Sequence, residues 1–162
     1  MKPIRRLFAA LAVAGLSLLS FSVAAQQRPP YGVAINLETA KKVGAAALAE
    51  ARKNNWNVAV AIVDIHGMLV YYEMLDDTQT ASAFIALEKA RTSTTYRRPS
   101  KELEDNIAAG RVAVLGLPGA TPIEGGLPIV VGGKMIGAIG VSGVTSAQDG
   151  MVAKAGAESL KP

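Results

Sequence analysis

The stretch Glu124-Gly-Gly-Leu-Pro-Ile-Val-Val-Gly-Gly-Lys-Met-Ile-Gly-Ala-Ile-Gly-Val-Ser-Gly143 constrains the fold more than any other part of the chain. Two apolar runs are separated by Gly132-Gly133, a two-residue turn of the kind that closes a tight hairpin. Further glycines fall inside and after the runs, where a side chain would obstruct a close backbone approach. Nine of the 16 glycines lie between Gly116 and Gly143, so this half is organised by turns and backbone packing.

A second hairpin is expected upstream. Asn57 to Val63 and Met68 to Leu75 are β-rich runs separated by Asp64-Ile65-His66-Gly67, a connection too short for anything but antiparallel pairing. Asp64 can accept from the turn backbone, and Gly67 can adopt a positive φ. Alternation would put Met68, Val70, Tyr72 and Met74 on one face and Leu69, Tyr71, Glu73 and Leu75 on the other.

Helical spacing of small and apolar residues from Leu37 to Ala51 predicts a first helix capped by Asn36. Ala81 to Tyr96 predicts a second, stopped before Pro99, and Ser100 to Asn106 a third. Val112 to Leu115 and Ile123 to Glu124 read as short strands, and Leu127 to Val131 and Lys134 to Val141 as the second hairpin. A last helix follows, capped by Thr145 or Ser146, with Asp149 near its positive end. The expected fold class is α/β of the α+β type: one domain with an antiparallel sheet of about five strands flanked by helices. The narrow Ala/Gly faces of the first and last helices predict a homo-oligomer that covers them.

The first residues match a secretory signal peptide, with Lys2, Arg5 and Arg6 before an apolar run from Leu7 to Val23 and small residues ahead of Gln26. Residues 1–25 are therefore expected to be removed, 26–35 to form an extended lead-in, and 36–162 to form the domain. A periplasmic or secreted location follows, with no stable membrane anchor after cleavage. The formal charge of +4 comes largely from those three basic residues; without them 14 basic residues face 13 acidic ones, which excludes nucleic acid as an expected partner. The absence of cysteine excludes disulfides and thiolate chemistry. A local basic cluster remains at Arg91, Arg97, Arg98 and Lys101, either a solvated helix end or an anion site.

His66 is the only histidine, so multi-histidine metal sites are excluded unless several subunits contribute. Its structural account is an exposed turn residue. Gly140-Val141-Ser142-Gly143 is not a hydrolase elbow, and Gly137 to Gly143 lacks the Lys-Ser/Thr of a phosphate loop. No catalytic residue is assigned.

Taken together, Asp64/Gly67, Lys89/Ala90/Thr92, Gly125/Gly126/Pro128/Ile129, Gly137/Ile139/Gly140/Val141/Ser142/Gly143 and Asp149 resemble the GlcG/HbpS family of heme-binding or heme-degrading domains. The likeness runs from about Leu37 to Leu160. It implies heme, or a similar planar anionic ligand, in a cleft at a subunit contact, with slow oxidative heme breakdown if iron keeps an open position and a reductant is supplied. Lys89 and Thr92 match the motif on the second helix, and helical spacing allows both to face one cleft with Tyr96 a turn beyond and Arg91 at its border. Glu124, Gly125 and Gly126 would add a polar gate and turn N–H groups. Many relatives carry histidine where this chain has Met68, which leaves Met68 or His66 as the iron ligand. The alternatives are a small hydroxy-acid or metabolite-binding accessory protein without heme, and a structural oligomeric scaffold.

Overall fold

A computed structural model describes residues 28–161, so the expected signal segment lies outside the described residues. The elements are α1 (Leu37–Lys53), β1 (Ala59–Asp64), β2 (Leu69–Met74), α2 (Ala81–Tyr96), α3 (Ser100–Ala108), a 3-10 turn (Val112–Gly116), β3 (Gly126–Val131), β4 (Lys134–Ser142) and α4 (Ser146–Glu158). The strands form one antiparallel sheet in the order β2-β1-β4-β3.

Two helices cover one face and one covers the other, and the residue sizes on each face explain the asymmetry. Val58, Val60, Ile62, Ile129, Ile139 and Val141 meet α1 and α4 in the main apolar core. The opposite face offers Ala59, Ala61 and Ala138 to Ala86 and Ala90 of α2. A β-carbon at Gly140 would overlap the Ala86 carbonyl, so glycine there lets α2 lie directly on the sheet. On the other side, Gly44 of α1 leaves room for the Tyr71 ring.

Caps agree with the sequence expectations. Asn36 Oδ1 accepts the Thr39 N–H at 2.9 Å, and Thr145 forms a reciprocal capping box with Gln148 at the start of α4. The small faces of α1 and α4, expected to need a neighbouring subunit, pack on one another: Gly156 sits against Val43 and Ala47.

Four strands form where about five were expected. Val112 to Gly116 is a 3-10 turn, closed by local bonds from Val114 N–H to the Arg111 carbonyl and from Leu117 N–H to the Val114 carbonyl. Ile123 and Glu124 stay outside the sheet because Gly125, at φ +126, breaks the extended path just before β3. Met68 precedes β2, and a register shift at Ile62/Val63 pairs Val63 with Leu69, interrupting the expected alternation at the start of that strand. The lead-in is extended as expected and is also tied to the sheet: Gly32 N–H bonds the Met135 carbonyl, Ile35 N–H bonds the Ile136 carbonyl, and Ile35 enters the core.

Candidate functional site

The turn between β1 and β2 is fixed by one carboxylate. Asp64 Oδ1 accepts the backbone N–H groups of His66 at 2.8 Å and Met68 at 3.0 Å, while Gly67, at φ +79, donates its N–H to the Asp64 carbonyl at 3.1 Å. These bonds hold the turn backbone and leave both flanking side chains outside the core. His66 is exposed, and Met68 is 63% exposed, so the thioether is not a core filler here.

Across from this turn, Phe84, Glu88, Arg91 and Thr95 form one stripe of α2 at three- and four-residue spacing. Arg91 is anchored twice: its Nε donates to the Gly67 carbonyl at 3.2 Å, and its Nη1 lies 2.7 Å from Glu88 Oε1. His66, Met68, Glu88, Arg91 and Thr95, with Pro118 and Gly119 of a loop, line a cleft of about 270 Å³. Imidazole and thioether are both heme-iron ligand types, and a guanidinium is suited to a carboxylate.

Thr92 and Tyr96 act one layer below, on the loop that forms the cleft's far wall. Thr92 is fully buried; its hydroxyl donates to the Glu88 carbonyl at 2.8 Å and accepts the Thr121 N–H at 2.8 Å. The Tyr96 hydroxyl bonds the Pro118 carbonyl at 2.6 Å. Both residues therefore position residues 118–121 and do not line the cleft themselves.

Lys89 points elsewhere. Its ammonium lies 2.8 Å from Asp149 Oδ2 and donates to the Val141 carbonyl at 3.1 Å, and the residue is 1% exposed. Burial pushes the Asp149 carboxyl above its ordinary value, and the Lys89 ammonium and the N–H groups of Val144 and Gly143 offset part of that rise. The Gly125-Gly126 pair makes room for this arrangement. A β-carbon at Gly125 would come within 2.8 Å of Lys89 Nζ, and one at Gly126 would overlap the Lys89 carbonyl.

Glu124 stands apart from the histidine cleft. Its N–H bonds Glu104 Oε2 at 2.7 Å, its carboxylate lies 3.7 Å from Lys101 Nζ, and with Gly125 and Gly126 it borders a separate cleft of about 230 Å³ beside α4. The structure thus brings together His66, Met68 and Arg91, sets Thr92 and Tyr96 behind the same cleft, and places Lys89, Glu124, Gly125 and Gly126 away from it. Glu88 and Thr95 were not among the expected site residues although they fall three residues before and four after Arg91, so helical spacing around Arg91 would have found them. Pro118 and Gly119 lie in a stretch whose Gly and Pro content reads locally as a loop, but its place beside the cleft is set by tertiary bonds.

Among the described residues no group of three or more His, Cys, Asp or Glu side chains is arranged to hold a metal ion, and no helix is long and apolar enough to cross a membrane.

Comparison with known proteins agrees with this architecture. Protein GlcG of Escherichia coli (strain K12) is 44% identical over 110 residues, 68% of this chain and 82% of that protein. The crystal structure of a double mutant of Streptomyces reticuli HbpS superposes with a TM-score of 0.74 at 28% identity, covering 97% of this chain and all of that one. A structure described as a PduOC:heme complex gives 0.72 at 25% identity, covering 80% of this chain and 96% of that one. The sequence model for haem degrading protein HbpS-like matches residues 35–158, and the chain belongs to that family.

Proposed function

We propose that this protein is an exported, homo-oligomeric binding protein for heme or a similar planar anionic ligand. The observation that carries the reading is the convergence of His66, Met68 and Arg91 on one cleft, in a fold shared with a structure described as a PduOC:heme complex. The donor set fits the group: His66 or Met68 would meet the iron, and Arg91 would meet a propionate, exchanging its exposed pairing with Glu88 for the ligand's carboxylate. Heme would supply the iron chemistry; the chain's own residues bind and orient.

The cleft holds about 270 Å³, near the low end of ligand pockets, so a macrocycle must extend beyond it. Phe84, 71% exposed and one turn before Glu88 on the same stripe, and Tyr72, 38% exposed, offer apolar surface for the remainder or for a second copy that completes the site. These exposed rings support a ligand site at or near a subunit contact.

Adding hemin to the mature protein and recording absorption tests the reading. A saturable shift of the main heme band at one ligand per subunit supports it; a spectrum that stays that of free hemin overturns it. Intact mass tests export: a chain starting at or within a few residues of Gln26 is expected, and a full-length product would remove the assigned compartment.

A further inference from the structure

The C-terminal end of α2 carries a second charged cluster that shares no lining residue with the histidine cleft. Arg28, Arg97, Arg98 and Glu102 surround a cleft of about 260 Å³ whose apolar surface includes Pro99 and Leu127. Arg28 Nη1 donates to the Tyr96 carbonyl at 2.7 Å, and Arg98 Nε donates to the same oxygen at 3.4 Å. Two guanidiniums are thus drawn to one carbonyl at the negative end of the helix. Each has five N–H donors, so most remain available to a ligand.

Arg97 is held as firmly. It ends α2 in the left-handed region, at φ 50 and ψ 45, where glycine is the usual choice, and its guanidinium lies 5.3 Å from the centre of the Tyr31 ring. A helix end favours cations, which accounts for one arginine there but not for three around an apolar cleft. Among the described residues no carboxylate lies within 4.0 Å of any of the three guanidiniums. Burial, together with repulsion from Arg28 and Arg111, holds the Arg98 guanidinium below its usual value, with Glu102 offsetting part of the effect. An anion entering the cleft would relieve that repulsion.

We propose that this cleft binds a small organic carboxylate with an apolar body, its carboxylate on the guanidiniums of Arg28 and Arg98 and its body against Pro99 and Leu127. Guanidiniums match the planar carboxylate, and the apolar floor favours a carbon skeleton over a bare inorganic anion. The cleft's size limits the ligand to a small acid. The site is independent of heme binding, because Arg91 serves the other cleft.

The test is a titration of the mature protein with butyrate, butyramide and inorganic phosphate, followed by backbone amide chemical shifts. Saturable shifts with butyrate at the amides of Arg98, Ser100 and Leu127 are expected, with butyramide and phosphate weaker. Arg98→Gln and Arg28→Gln should each weaken butyrate about tenfold or more, as loss of a charge-assisted hydrogen bond requires. Arg28 lies in the extended lead-in, so its variant decides the matter if Arg98→Gln fails to fold. No saturable butyrate binding, equal binding by the folded variants, or phosphate binding as well as butyrate would overturn the proposal. Hemin titration of the same variants should match the wild type, which separates failure here from failure of the heme reading.

Discussion

Lys89 Nζ lies 2.8 Å from Asp149 Oδ2, and the two side chains, 2% and 3% exposed, join the middle of α2 to the first turn of α4 beside the end of β4. Removing one partner leaves the other charge buried and uncompensated. Asp149→Ala is therefore expected to cost about 3–5 kcal/mol, whereas the apolar pair Lys89→Met with Asp149→Leu should cost less than either single change. Urea unfolding of the four variants checks this; a double variant as damaged as the sum of its parts would show that the pair's packing, not its charge, matters.

Thr92 connects fold to site through a single hydroxyl. Thr92→Val keeps the shape and strands the Thr121 N–H, with an expected cost of about 1–3 kcal/mol and a loosened wall beside Pro118 and Gly119. Hydrogen exchange should show faster exchange of the Thr121 amide in the variant. Unchanged protection there would mean that residues 118–121 are held by other contacts.

Tyr71 provides a pH signature. Burial first, and then the hydrogen bond to Glu73, push its phenol up to about 12. The folded value exceeds the unfolded value of about 10, so the neutral phenol's contribution is complete below about pH 10 and is lost as pH rises through about 12. Wild-type stability should fall more steeply over that window than that of Tyr71→Phe. Parallel curves would contradict the assignment.

Much of this fold is written in local pattern, and the site is written there only in part. The Gly132-Gly133 turn, the Asp64–Gly67 turn and the span of α2 were legible because turn chemistry and helical spacing act over a few residues. Helical spacing also gave the faces of α2, but not which face is covered. Lys89 reaches the end of β4, and its partner Asp149 is 60 residues away in sequence, so its burial depends on a tertiary contact. Val112 to Gly116 was ambiguous for a different reason: a short apolar run fits a strand or a turn equally until its hydrogen-bond partners are known.

Assembly is expected to use the apolar surface beside the cleft, since the small faces of α1 and α4 are already packed together. Phe84→Asp, at a residue 71% exposed, should shift light scattering toward the monomer and leave the circular dichroism unchanged. An unchanged oligomer would place the contact on another surface, and a monomeric wild type would remove the subunit contact altogether.

Hemin titration of two variants tests the central claim most directly. Arg91→Ala should weaken binding about ten- to a hundredfold, the worth of a lost charge-assisted bond, while keeping the wild-type spectrum at saturation. His66→Ala combined with Met68→Ala should abolish the ligand-bound spectrum, because both candidate iron ligands at the Asp64–Gly67 turn are then gone. If the double variant binds hemin with the wild-type spectrum and affinity, the iron lies elsewhere and the cleft between the β1–β2 turn and α2 is not the heme site.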